Sequence, residues 1–177
     1  GIAAFSSTYI RAVLTLFMFF AGTNLALVYF AIKGQFKKII RSNEFVIYAI
    51  LAAGFSLLIT ILIFHKSGDS TSKALSDGFF NTISILTTTG FYTVNFSQWG
   101  NLGMMIIFIL MFTGAMAGAA SGGIKIIRLI IIAKNARNES RRLIHTNAYL
   151  PVRIELKKIP HNTVYNLLIF IILYSIA

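Results

Sequence analysis

Apolar residues run along this chain in long blocks, not in strand-like alternation. Residues 12–32 contain no Asp, Glu, Lys or Arg, and neither do residues 45–64. A third block, Gly78 to Ile124, continues for 47 residues without a formal charge. One crossing of the bilayer hydrocarbon needs about 20 apolar residues. The first two blocks therefore predict one spanning helix each, roughly Tyr9 to Ile32 and Glu44 to Phe64. The third block must cross, or enter, more than once. A last span begins near Asn162. The intervening "KGQFKKIIRSNE", "HKSGDSTSKALSD" and residues 125–160 read as polar loops.

Composition sharpens this picture. The chain is 56% hydrophobic and 12% charged, about half the charge of an ordinary soluble domain. It has no cysteine, which excludes disulfides and thiol chemistry. His65, His145 and His161 are too far apart to suggest a metal site. The net charge is +11. The basic residues sit at block ends, which points to membrane topology and not to nucleic acid. Loops 33–43 and 125–160 hold thirteen Lys and Arg, against two in 65–103. Loops 33–43 and 125–160 are thus expected in the cytoplasm, with 65–76 and 92–101 outside. The chain lacks an initiator Met and stops inside an apolar run. It reads as part of a larger multi-pass protein of the cell (inner) membrane.

That orientation poses a counting problem. The chain is outside by Phe64 and inside by Lys125, so an odd number of crossings lies between. Residues 104–124 supply one. Residues 78–103 must then start and finish outside. "GFFNTISIL" offers about nine helical residues, roughly 14 Å, which reaches only the bilayer middle. A re-entrant hairpin solves the count: a half-helix enters and "TTTGFYTVN" returns as extended chain. Unpaired backbone is tolerated at that depth only where it lines a watery path. Carbonyls there can replace an ion's hydration shell, and Gly90 permits the backbone turn. The alternative is a polar patch on a buried helix, with the hydroxyls bonded back to it.

A second constellation is "FTGAMAGAASGGIKIIR". Gly114, Gly118 and Gly122 form two overlapping G-x-x-x-G units, a helix-packing pattern. The other reading is a broken helix, because six small residues in a row disfavour helix. A phosphate loop fits poorly, since Ile124 separates Gly123 from the lysine and no hydroxyl residue follows it. Tyr92 and Trp99 suit either an interfacial belt or a pore mouth. Glu44, Asp69, Asp77, Glu139 and Glu155 all lie outside the apolar spans, so no intramembrane proton relay is visible. No catalytic constellation is present, and the chain does not read as an enzyme.

Span, half-helix, "TTTGF", and a span containing "GAASGGIK" together resemble the Trk/Ktr/HKT potassium transporters, most closely the TrkH type. The resemblance covers nearly the whole chain. It implies an all-α membrane protein built from helix–re-entrant pore loop–helix repeats, four in tandem per chain. Residues 1–43 resemble the inner helix of one repeat and its cytoplasmic loop. Residues 44–135 resemble a complete repeat, 136–161 a basic cytoplasmic loop, and 162–177 the first helix of the next repeat. K⁺ is the implied transported ion, with no other cofactor. Backbone carbonyls of Thr88, Thr89, Gly90 and Phe91 are the implied filter. Gly118, Ala119, Ala120, Ser121, Gly122 and Gly123 correspond to a gating loop that usually reads G-S-T-x-G-G-I-K. Two alanines stand here where hydroxyls are usual. Lys125 and Arg128 are expected to anchor the helix beside that gate.

The resemblance further implies a homodimer, the remaining repeats of a full-length chain, and a cytosolic nucleotide-binding regulatory subunit. The basic segment 134–158 reads first as a positive-inside loop near lipid, and alternatively as a docking surface for that regulator. Two rival functions remain. A conventional tetrameric channel subunit needs only two helices per chain, so the runs before Lys33 and after Asn162 weigh against it. A membrane scaffold without transport would bind no ion at 88–91.

Overall fold

The structure is a computed structural model that describes residues 2, 7–67, 70–144, 151–154 and 157–176. It is all-α apart from one pair of two-residue strands. The chain divides into two compact units, Gly1–Lys125 and Ile126–Ala177.

The first unit opens with a departure from expectation. The expected single span Tyr9 to Ile32 is two helices, α1 (Thr8–Ala21) and α2 (Leu25–Ile32), bent by 115°. The break is written in Gly22, Thr23 and Asn24. Gly22 and Thr23 are buried. The Asn24 Oδ1 accepts from the Ala26 amide at 2.8 Å and caps α2. A side chain at Gly22 would overlap the Tyr48 hydroxyl and crowd Thr87, so the bend seats the backbone where only glycine fits. A short helix α3 (Phe36–Ile40) follows.

Helix α4 (Asn43–Ser67) has 25 residues and a length of about 37 Å, enough to cross the bilayer. It is the one described helix that is by itself long and apolar enough to span. Helix α5 (Thr71–Leu86) packs against both α1 and α4. It starts seven residues earlier than the half-helix read from Gly78, so the predicted outer loop at 65–76 shrinks. Of that loop, residues 68 and 69 lie outside the described residues. The α4–α5 contact runs through small residues. Ala74, Ala52 and Ser56 are buried, and a side chain at Gly78 would overlap Thr60. Such residues let backbones approach closely where lipid removes any hydrophobic drive between helices. Met18, Phe80 and Ile83 form an apolar cluster between α1 and α5, flanked by Leu14, Phe19 and Phe79.

A buried polar network then ties the return chain to α5. Arg11 Nη1 lies 3.1 Å from Asp77 Oδ1. The Thr93 hydroxyl donates to the same carboxylate oxygen at 2.8 Å. The Asn81 amide nitrogen donates to the Asp77 carbonyl and to Thr93 Oγ1, and the Thr93 amide donates to Asn81 Oδ1. Asp77 was expected in a loop; it is only 2% exposed, inside α5. Burying the carboxylate is tolerable because the guanidinium and hydroxyl compensate its lost hydration.

After a 3₁₀ turn (Phe96–Trp99) comes α6 (Gly100–Phe112). Trp99 is buried edge-on to Phe96, whereas Tyr92 is exposed. Helix α6 has 13 residues and a length of about 20 Å, short of a full crossing. Residues 113–125 leave helical geometry.

The second unit holds α7 (Ile126–Ile144), strands β1 (Arg153–Ile154) and β2 (Lys157–Lys158), and α8 (His161–Ile176). The strands pair antiparallel, Arg153 with Lys158 and Ile154 with Lys157. Ile131, Val152 and Val164 form its core. The stretch expected as a loop is thus helical up to Ile144; residues 145–150 and 155–156, including His145 and Glu155, lie outside the described residues, as does Asp69 of the first unit.

Candidate functional site

The threonine run begins where α5 ends. Two bonds close the helix: the Thr88 amide donates to the Ile85 carbonyl at 2.9 Å, and the Thr89 amide to the Ser84 carbonyl at 2.8 Å. This is the Schellman arrangement, which needs a left-handed residue just past the cap. Glycine usually fills that position; here it is Thr88, at φ 55°. Gly90 follows at φ +79° with open space around its missing side chain. The Thr87 hydroxyl bonds back to the Ile83 carbonyl at 2.8 Å and lies 2.8 Å from the Thr89 hydroxyl. Thr87 is buried, whereas Thr88, Thr89, Gly90 and Phe91 are exposed. The polar-patch alternative therefore holds for Thr87 alone. The next four residues have left the helix.

The glycine-rich stretch forms a closed loop. Its neck is a parallel bridge between Thr113 and Ile124. The Gly114 amide donates to the Ile124 carbonyl at 2.8 Å, and the Ile124 amide to the Phe112 carbonyl at 3.1 Å. Gly114 faces the Gly122 carbonyl so closely that a side chain would overlap it. Gly118 and Gly123 take φ +76° and +69°. None of Gly114, Gly118 and Gly122 lies on a helix, so the G-x-x-x-G helix-packing reading does not apply. The glycines instead let one loop fold on itself.

Lys125 closes the loop from within. Its ammonium donates to the Ala119 carbonyl at 3.2 Å, to the Ser121 hydroxyl at 2.9 Å, and to the Ser121 carbonyl. The Ser121 hydroxyl also accepts from the Ala115 amide at 3.2 Å. Lys125, expected to anchor the helix beside the loop, bonds to the loop's own carbonyls and hydroxyl. Arg128, in the second unit, lies over the Phe170 ring at 4.1 Å.

Three other elements of the first unit meet this loop. The Met116 amide donates to the Gly22 carbonyl at the α1–α2 break, 3.1 Å away. The Ala117 amide donates to Glu44 Oε1 at 2.6 Å. The Gly122 amide donates to Thr88 Oγ1 at 2.8 Å. Asn24 packs beside Gly118. The two motifs singled out in the sequence are thus in direct hydrogen-bonded contact, 34 residues apart.

Glu44, Gly22, Asn24, Arg11 and Asp77 were not foreseen as site residues. The Gly-Thr-Asn break carried a readable signal, a helix stop followed by an N-cap residue. Glu44 carried none, because its partner is 73 residues away. Among the described residues, no group of three or more His, Cys, Asp or Glu could hold a metal ion.

The comparisons with known proteins agree with this architecture. The profile of the TrkH family, described as a cation transport protein, matches residues 66–177. The chain belongs to the TrkH cation transport family. It is 27% identical over 162 residues to the Trk system potassium uptake protein TrkH of Salmonella typhimurium, covering 90% of this chain and 34% of that protein. To the protein of the same name from Halomonas elongata it is 33% identical over 108 residues, 61% of this chain and 22% of that one. The crystal structure of the potassium transporter TrkH from Vibrio parahaemolyticus superposes with a TM-score of 0.90 at 24% identity, covering 99% of this chain and 38% of that chain. This TrkH-family chain therefore spans about a third of the length of the curated relatives it matches. The shared fold is that of an all-α membrane protein.

Proposed function

We propose that this segment forms one quarter of a potassium-conducting pathway within a longer chain, and that its glycine-rich loop obstructs the pathway at rest. The observation that carries this reading is the Gly122–Thr88 hydrogen bond. It joins an exposed, non-helical turn to a loop of small residues, an arrangement suited to ions passing one and being stopped by the other. Thr88, Thr89, Gly90 and Phe91 offer backbone carbonyls to K⁺. The α5 helix ends at this turn, so its negative dipole end favours a cation there. Gly118, Ala119, Ala120, Ser121, Gly122 and Gly123 act as the plug. Relatives named as potassium uptake proteins support K⁺ as the transported ion.

In this reading residues 44–135 are one complete repeat. The basic loops at 33–43 and 125–160 face the cytoplasm, and 65–76 and 92–101 face outward. The remaining repeats, a second copy of the chain and a cytosolic nucleotide-binding regulator complete the working assembly. Deleting residues 118–123 in the full-length protein tests the reading. Flux of K⁺ should rise and depend less on the regulator. A folded deletion variant that conducts no better than wild type overturns it.

A further inference from the structure

We propose that Glu44 is the latch that holds the glycine-rich loop in place, an inference that rests on the plug reading of residues 118–123. Glu44 stands in the first turn of α4. A carboxylate there usually serves its own helix, whose N-terminal amides and dipole attract it. Here Oε1 reaches out of α4 to the Ala117 amide, at 2.6 Å and 73 residues away. That is the length of a charge-assisted bond, about twice as strong as a neutral one. Ala117 is half-buried at the edge of the loop, next to Gly118, which adopts φ +76°.

The loop's other outside contacts differ in kind. The Met116 bond goes to a backbone carbonyl at the α1–α2 break. The Gly122 bond goes to a neutral hydroxyl on the turn itself. Lys125 bonds within the loop, to Ala119 and Ser121. The Glu44 bond joins the loop to the first turn of α4 through a charged group. Neck bonds at Gly114 and Ile124 close the loop without involving Glu44. Displacing the segment Met116–Gly122 away from α4 therefore requires giving up the Glu44 bond. Glu44 is a positioning residue: it touches the plug and not the ion.

The test uses the full-length protein, purified and reconstituted in phosphatidylethanolamine–phosphatidylglycerol vesicles, with rubidium flux measured without the regulator. Glu44→Ala should raise resting flux about tenfold, the equilibrium shift expected for losing one charge-assisted bond. Glu44→Gln should raise it less, because its amide oxygen still accepts from Ala117. Preference for K⁺ over Na⁺ should stay unchanged in both. In the background deleted for 118–123, Glu44→Ala should add nothing. A single cysteine at the exposed Ala120, with other cysteines removed, gives a second readout: thiol labelling should quicken about tenfold in Glu44→Ala and in Glu44→Gln by less. Flux and labelling that stay at wild-type values in Glu44→Ala, while the loop deletion raises flux, overturn the latch and leave the plug standing. A loop deletion that fails to raise flux removes the plug reading itself. Should Glu44→Ala not fold, Glu44→Gln carries the labelling test, and unchanged labelling in it overturns the latch.

Discussion

Thr88 holds a conformation that its side chain disfavours. A β-branched residue at φ 55° costs about 1–2 kcal/mol relative to glycine. Two things hold it there: the helix-closing bonds of Thr88 and Thr89, and the hydroxyl that accepts from Gly122. The substitutions at this position separate them. Thr88→Val keeps the strain and loses the acceptor, leaving the Gly122 amide without that partner. It should lower stability by about 1 kcal/mol, a few degrees in Tm. Thr88→Gly loses the same bond but relieves the strain, so its Tm should stay near wild type. Thermal unfolding of the two variants in the full-length protein checks the pair. Equal losses in both would mean that the left-handed conformation carries no strain worth relieving. Gly90 poses the opposite case, since open space surrounds it and only its φ favours glycine.

At the scale of elements, the return chain is positioned by polar groups on α1 and α5. Asp77 binds Arg11 on one side and Thr93 on the other, and Asn81 grips Thr93 by both amide and hydroxyl. Asp77→Asn removes the charge and leaves a largely buried guanidinium with a weaker acceptor. Breaking a buried ion pair from one side costs about 3 kcal/mol. Tm should fall by several degrees, and ion discrimination should weaken because Thr93 lies only three residues beyond Gly90. Restoring charge pairing with Asp77→Glu should recover part of both. Loss of stability with selectivity fully kept would assign this network to folding alone. The break between α1 and α2 belongs to the same scale. Gly22 abuts both Tyr48 of α4 and Thr87 at the end of α5, and its carbonyl receives the loop, so one bend registers three elements.

For the whole molecule, the large apolar side chains left exposed on α2, α4, α6 and α8 mark faces that lipid or further protein covers. Examples are Leu25, Ile50, Met105 and Leu173, each more than half exposed. The charge asymmetry of the loops sets the expected orientation. Ser72 and Ser97 are both exposed, on α5's first turn and on the 3₁₀ turn. Cysteines introduced at both should label with an impermeant reagent in intact cells, whereas one at Ser140 of α7 should label only after permeabilisation. Labelling at just one of the outer pair would break the hairpin topology.

Charge-free blocks and thirteen basic residues in two loops were enough to read an all-α membrane protein from the sequence. Length arithmetic required a half-helix before the threonines, and the run of small residues near Gly118 offered a broken helix as one of two readings. These signals are local: hydrocarbon demands uninterrupted apolar runs, and glycine clusters disfavour helix wherever they stand. The 115° bend at Gly22 was missed because apolar residues flank it on both sides and the count treated them as one run. The early start of α5 was missed because Asp77 reads as a loop residue until Arg11 is seen beside it. The partnerships of Glu44 with Ala117 and of Thr88 with Gly122 span 73 and 34 residues. Which amide a given acceptor meets depends on how four elements converge, and no periodicity or composition along the chain encodes that distance. Only the packed structure decided that the threonine turn and the glycine loop would touch.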